Sequence, residues 1–311
     1  MQIKKVTCVG GGLVGASWAL LFALKGYPVT LQSRRKETIE KAVNDVKSNL
    51  SFLEEKGLIN SKGKEAVLRR IKTTYDLSDA VKDADYIQES VAEDLELKRN
   101  VFSQIDAAAR PDAIIASSSS ALIISDIQVA TTKPERCVIV HPYNPVHLIP
   151  LVEIVPGKKT SPETVKIAHD FMLRLGKVPV VAKKEVPGHI VNRLAHVLFR
   201  EVADSVEKGI ATVGDIDKAF TASLGIRWAI MGPFLTYHLG GGPGGIDEFF
   251  EKYRMGLSAS VVEKIIRGVK EEEIVRTRSM DELIRWRDEK LIELLKILYP
   301  DVIKSLSDSC L

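Results

Sequence analysis

Residues Val6 to Gln32 read VTCVGGGLVGASWALLFALKGYPVTLQ, and this stretch decides the fold. A short apolar run, Val6 to Val9, leads without interruption into Gly10-Gly11-Gly12-Leu13-Val14-Gly15. A helical stretch follows from Ala16 to Lys25, and after Gly26 a second strand runs from Val29 to Gln32. This is G-x-G-x-x-G in the strand–turn–helix setting of a dinucleotide-binding βαβ unit. Gly10 permits the tight turn, Gly12 lets the backbone approach a pyrophosphate, and Gly15 allows close helix–strand packing. With Leu13 and Val14 the turn forms a helix N-terminus whose free N–H groups and dipole favour phosphate. An acidic residue roughly 20 positions on would bind the adenosine ribose 2′-hydroxyl. That position reads Ser33-Arg34-Arg35: no carboxylate repels a 2′-phosphate, and two guanidiniums are placed to bind one. The cofactor is therefore NAD or NADP, with NADP favoured or at least tolerated. The plainer assignment for both arginines is a solvated pair ahead of the next helix.

The rest of the chain fits this start. At 311 residues it suits two domains better than one, and 45% apolar with 27% charged residues is ordinary for a globular protein. A net charge of +3 gives no case for nucleic acid, and no apolar run approaches a membrane span. Cys8, Cys137 and Cys310 are widely spaced with no metal-type pairing, which suggests a reducing compartment and a cytoplasmic protein, and Cys8 and Cys137, in apolar strand-like runs, read as buried thiols. Lys36 to Lys56 reads as an amphipathic helix with Ile39, Ala42, Val43, Val46, Leu50 and Leu53 near one stripe. Further strands are expected at Ile71–Tyr75, Asp83–Ser90, Ala113–Ala116, Arg136–Val140 and Val178–Val181. From Pro187 the pattern turns helical. The expected architecture is α/β: a doubly wound Rossmann-type sheet over residues 1–185, then an all-α domain over 186–311 for substrate and dimerisation. Gly240 to Gly245 reads as a mobile, non-helical loop.

The chemistry-bearing residues cluster where strands end. HPYNPVHLIPLVE, His141 to Glu153, begins with a histidine biased to extended backbone by Pro142 and ends with a glutamate inside an apolar strand. A buried carboxylate is costly unless paired, and a histidine held by it would be an oriented general base. The serines Ser117 to Ser120 fall at a strand's carboxyl end, the ligand side of an open α/β sheet. Ser118 there, and Glu93 and Lys98 after the preceding strand, are expected cofactor contacts. Asn192 in PGHIVNR offers an amide from the start of the helical region. Arg227 is a candidate clamp for a substrate carboxylate, and His147 a candidate pocket residue. No histidine or cysteine grouping suggests a metal.

These ordered motifs resemble the 3-hydroxyacyl-CoA dehydrogenase superfamily over essentially the whole chain. The family's serine, histidine, glutamate and asparagine match Ser120 in SSSSAL, His141 in HPYNP, Glu153 in PLVEIV and Asn192 in PGHIVNR. Within it, LGIRWA (Leu224 to Ala229), Met231-Gly232-Pro233 and Arg285-Trp286-Arg287-Asp288 look like the short members acting on small 3-hydroxy acids, the L-gulonate 3-dehydrogenase (λ-crystallin) and carnitine dehydrogenase group. Ser33 departs from the family's ribose-binding acid, and Ser118 from an asparagine near the nicotinamide.

The resemblance implies hydride transfer between a substrate's 3-hydroxyl and NAD(P), a homodimer through the helical domain, and a His141–Glu153 dyad. Ser120 and Asn192 would hold the reacting oxygen. One alternative substrate is a short 3-hydroxyacyl-CoA such as 3-hydroxybutyryl-CoA; another reading is a non-catalytic crystallin-like protein. The β-hydroxyacid dehydrogenases place a catalytic lysine four residues before an asparagine, where this chain has Gly188.

Overall fold

The computed structural model describes residues 2–253 and 255–308, and the chain divides into two units, Met1–Leu198 and Phe199–Leu311. The first unit holds β1 (Val6–Val9), β2 (Val29–Gln32), β3 (Ile71–Thr74), β4 (Tyr86–Glu89), β5 (Ile114–Ser117), β6 (Cys137–Pro142), β7 (Leu151–Val155) and β8 (Val178–Val181). They form one sheet in the order β3-β2-β1-β4-β5-β6-β7-β8. All neighbours are parallel except β6 and β7, which are antiparallel. Strand order reverses direction between β1 and β4, the switch point where open α/β sheets receive ligands at their carboxyl ends.

Helices cover both faces: α1 (Leu13–Leu24), α2 (Lys36–Glu55), α3 (Ser61–Arg70), α4 (Leu77–Val81), α5 (Leu95–Ala108), α6 (Ile124–Gln128) and α7 (Pro162–Arg174). The central strands are consequently buried along their whole length, so they read as continuous apolar runs. Alternate side chains serve opposite layers. Val138 and Val140 join Trp18, Phe22 and Phe171 on one face, while Cys137 and Ile139 join Phe102, Ile105 and Ile127 on the other. Cys8 and Cys137 are buried free thiols, and burial pushes the Cys137 thiol up to about 12. Cys310 lies outside the described residues. α1 is apolar on every side, with Gly15 to Ala23 all buried, and Phe22 stacks between Trp18 (5.1 Å) and Phe171 (5.7 Å). The amphipathic stripe on α2 turns inward at Ile39, Ala42, Val46, Leu50 and Leu53.

α8 (Val191–Glu207) begins in the first unit and runs into the second. The second unit continues with α9 (Val213–Ala219), α10 (Ile226–Ile230), α11 (Pro233–Gly240), α12 (Gly245–Lys252), α13 (Ala259–Glu271), α14 (Glu273–Arg276), α15 (Met280–Leu298) and α16 (Pro300–Asp308). α9 continues into a π-helical turn, Phe220–Gly225, before α10. The glycine run is not the mobile loop its composition suggests: a 3₁₀ turn, Gly242–Gly244, joins α11 directly to α12. A Cβ on Gly241 would lie 1.8 Å from the Gly245 carbonyl oxygen, and one on Gly245 2.5 Å from the His238 ring. The glycines here permit close helix packing, and tertiary contact overrides their low helix propensity. No helix among the described residues is long and apolar enough to cross a membrane.

Candidate active site

The antiparallel β6–β7 pair places His141 directly opposite Glu153, and cross-strand neighbours on one sheet face are close enough to bond. His141 Nδ1 lies 2.9 Å from Glu153 Oε2. Glu153 is fully buried and His141 is 5% exposed. The same carboxylate oxygen accepts from the Tyr143 hydroxyl at 2.8 Å. Its other oxygen accepts from the backbone N–H groups of Ile190 (2.9 Å) and Val191 (3.0 Å). Burial raises the Glu153 carboxyl. The bonds from His141, Tyr143, Val191 and Ile190 outweigh that and bring it down to about 2. An ionised carboxylate only accepts, so His141 Nδ1 must carry the hydrogen, and in the neutral ring Nε2 keeps its lone pair. Burial, then Glu153, pushes the Tyr143 phenol upward, so Tyr143 stays a donor.

Two consecutive left-handed residues, Gly188 (φ 76°) and His189 (φ 51°), precede the amides that clamp Glu153. A non-glycine residue in that region is uncommon, though histidine is among the residues enriched there. The His189 ring is fixed by a 2.9 Å bond from Nε2 to the Ser119 carbonyl. It is buried beside His141 at 5.2 Å between ring centroids, and its Nδ1 has no partner among the described residues. Burial lowers its pKa, against the opposing pull of the Ser119 carbonyl.

Ser120 and Asn192 meet: Asn192 Nδ2 donates to the Ser120 carbonyl at 3.3 Å. Both line a cavity of about 430 Å³ that is walled further by Pro187, Gly188, Arg193 and His196. The Ser119–Leu122 turn is held by Glu93, whose Oε1 accepts from the Ser119 hydroxyl (2.5 Å) and the N–H groups of Ser120, Ala121 and Leu122 (3.1, 2.8 and 3.1 Å). Burial works to raise the Glu93 carboxyl, but those bonds and the Lys98 charge lower it on balance. Lys98 is itself buried, 2.8 Å from Glu89 Oε1 and 3.5 Å from Glu93 Oε2. Glu89 takes the Ser117 hydroxyl (2.6 Å) on its other oxygen. Arg227 lies in the second unit, with Nε 3.4 Å from the Ser223 carbonyl. His147 Nδ1 lies 3.0 Å from the Ser17 hydroxyl on α1.

The glycine turn fits a dinucleotide phosphate. Gly10 has φ 104°. A Cβ on Gly15 would strike the Gly10 carbonyl oxygen at 1.8 Å, whereas above Gly12 nothing lies within 4 Å. Gly12 caps α1 with no side-chain bond, so the first N–H groups, at Leu13 and Val14, are left without a side-chain cap and are available to an anion. At the end of β2, Ser33 is half-buried while Arg34 and Arg35 are exposed. Neither arginine makes an ion pair among the described residues.

Comparison with known proteins identifies the family. Residues 5–186 match the NAD binding domain of 3-hydroxyacyl-CoA dehydrogenase, and residues 188–276 match its C-terminal domain. The chain belongs to the 3-hydroxyacyl-CoA dehydrogenase family. It is therefore an NAD-linked oxidoreductase acting on a CH–OH group. An L-carnitine dehydrogenase from Bacillus cereus is 38% identical over 96% of this chain and 93% of its own. One from Pseudomonas putida is 36% identical over 95% and 94% respectively. The crystal structure of a 3-hydroxyacyl-CoA dehydrogenase from Archaeoglobus fulgidus superimposes with TM-score 0.72 at 27% identity, covering 96% of this chain and 99% of that one.

Within this member of the 3-hydroxyacyl-CoA dehydrogenase family, Tyr143 and His189 escape a reading of the sequence. Tyr143 carried only a faint signal, its place just after β6 and two residues from His141. His189 carried none: its left-handed backbone and its bond to Ser119 depend on a segment 70 positions away.

Proposed function

We propose that this chain oxidises the 3-hydroxyl of a small free 3-hydroxy acid, with L-carnitine the first candidate and L-gulonate next. The observation that carries the reading is the four-donor clamp on Glu153, which leaves His141 Nε2 as a fixed proton acceptor. Bound NAD would supply the acceptor for the hydride leaving C3. His141 takes the hydroxyl proton at Nε2, and Glu153 stabilises the imidazolium that results. The Ser120 hydroxyl and a Asn192 amide hydrogen hold the same oxygen, more tightly as it gains carbonyl character. Arg227 clamps the substrate carboxylate as a bidentate donor. The two carnitine dehydrogenases above, similar over nearly their full length, support a free acid over a CoA thioester. The absence of a carboxylate at Ser33, and Arg34 and Arg35 with no ion pair among the described residues, support acceptance of NADP beside NAD. Exposed Leu194 (62%) and Val197 (68%) on α8, with Ile210 (70%) and Val213 (63%) after it, support a homodimer through the helical region. The free buried thiols suit the reducing cytoplasm.

The test is a steady-state panel of L-carnitine, L-gulonate, 3-hydroxybutyrate and 3-hydroxybutyryl-CoA with NAD and with NADP. The expected result is a free acid preferred over the thioester and kcat/KM with NADP within about tenfold of NAD. With the preferred acid, Arg227→Met should raise KM by about tenfold or more, the loss of a charge-assisted pair of about 1.5–3 kcal/mol. Preference for the thioester, or an unchanged KM, contradicts the corresponding part.

A further inference from the structure

Hydrogen-bond accounting around Ser118 singles out Ser90, a residue with no part in the reaction as described above. Gln88 sits fully buried on β4. Its Nε2 reaches the Val140 carbonyl at 3.2 Å, and a carbonyl only accepts, so the amide orientation is fixed. That Nε2 also donates to Ser118 Oγ at 2.8 Å, while Gln88 Oε1 accepts from the Tyr86 hydroxyl. The Trp18 indole N–H, which can only donate, reaches the same Ser118 oxygen at 3.2 Å. Both lone pairs of Ser118 are then used. Its single hydrogen must go to Ser90 Oγ, 2.8 Å away. Ser90 therefore accepts from Ser118, and its own hydroxyl hydrogen points elsewhere, with no other protein acceptor among the described residues.

The place of Ser90 says what that hydrogen meets. It follows β4 at the switch point of the sheet, against the glycine turn: a Cβ on Gly10 would lie 2.6 Å from the Ser90 carbonyl oxygen, and one on Gly15 3.6 Å from Ser90 Cβ. Ser33, Arg34 and Arg35 lie on the β2 side of that turn, and His141 lies beyond on β6. Ser90 is thus on the reacting side of the phosphate position. We propose that Ser90, oriented by the Trp18–Gln88–Ser118 relay, donates a hydrogen bond to an oxygen of the nicotinamide riboside half of the bound dinucleotide. Ser118, whose hydroxyl is spent inside the protein, is the positioning residue for Ser90.

This rests on the dehydrogenase reading and is tested by binding rather than turnover. NADH and ADP are titrated against the wild-type chain and Ser90→Ala, by NADH fluorescence and by calorimetry for ADP. ADP carries the adenosine and phosphates without the nicotinamide riboside. The expected result is a Kd for NADH about fivefold higher in Ser90→Ala with the Kd for ADP unchanged, the equivalent of about 1 kcal/mol for one hydrogen bond. Should Ser90→Ala fail to fold, Ser90→Cys keeps the volume with only weak donation and carries the same test. An unchanged Kd for NADH overturns the proposal, as does equal weakening of both ligands. Wild-type protein that binds neither ligand would overturn the dehydrogenase reading itself.

Discussion

Replacing His141 by glutamine is expected to lower turnover by about 10²–10⁴-fold while leaving NADH affinity unchanged, the range general base catalysis supplies. Glutamine keeps an N–H that can donate to Glu153, so the carboxylate is not stranded; a buried charge that lost its partners would cost far more than the bond itself. Tyr143, Ile190 and Val191 also continue to hold Glu153. The fold is thereby spared, and what disappears is the lone pair at Nε2 that receives the proton. Initial rates of NADH formation with the preferred acid, set beside NADH titration of the same preparation, separate the two quantities. Turnover within a few-fold of wild type would remove His141 from the chemistry.

Lys98→Met is expected to destabilise the first unit by about 3–5 kcal/mol, the usual cost of breaking a buried ion pair from one side. Lys98 is 1% exposed and Glu89 fully buried, and their 2.8 Å contact supplies the one cation at that carboxylate among the described residues. The Ser117 hydroxyl and the Val91 amide remain on Glu89, but neither carries charge. For a unit of this size the loss corresponds to a melting temperature lower by on the order of 10 °C. Because Lys98 also attracts Glu93, which gathers the Ser119–Leu122 turn, activity should fall beyond what unfolding explains. Thermal melts and urea titration check the first effect, and rates at a temperature where the variant is fully folded check the second. A loss below about 1 kcal/mol would mean that the pair contributes little.

How much of this was legible depends on whether the signal is local. The glycine turn, α1 and β2 are set by neighbours within a few residues, so their presence and order follow from the sequence, although α1 starts at Leu13, three residues before the expected Ala16. The Glu153 anomaly was legible because a carboxylate in an apolar strand needs a partner, and His141 is near enough in sequence to be found. The donors from Ile190 and Val191, the His189–Ser119 tie and the Ser118–Ser90 relay join segments 28 to 70 positions apart, with no periodicity to announce them. Glu93 and Lys98 were expected as cofactor contacts, whereas their bonds to the serine turn and to Glu89 required coordinates. Gly240 to Gly245 misled because composition reports backbone freedom. The need for close approach of α11 and α12, which decides the structure there, is a property of the packed unit.

The central claim is that a hydride leaves C3 of a 3-hydroxy acid as His141 takes the hydroxyl proton. The most direct measurement is turnover of the preferred acid carrying deuterium at C3, with mass analysis of both products. The account predicts one deuterium in the reduced nicotinamide and none retained at C3 of the ketone, with His141→Gln slowing formation of both. Deuterium retained in the organic product, or no reduced cofactor from any 3-hydroxy acid or its CoA thioester, would contradict it.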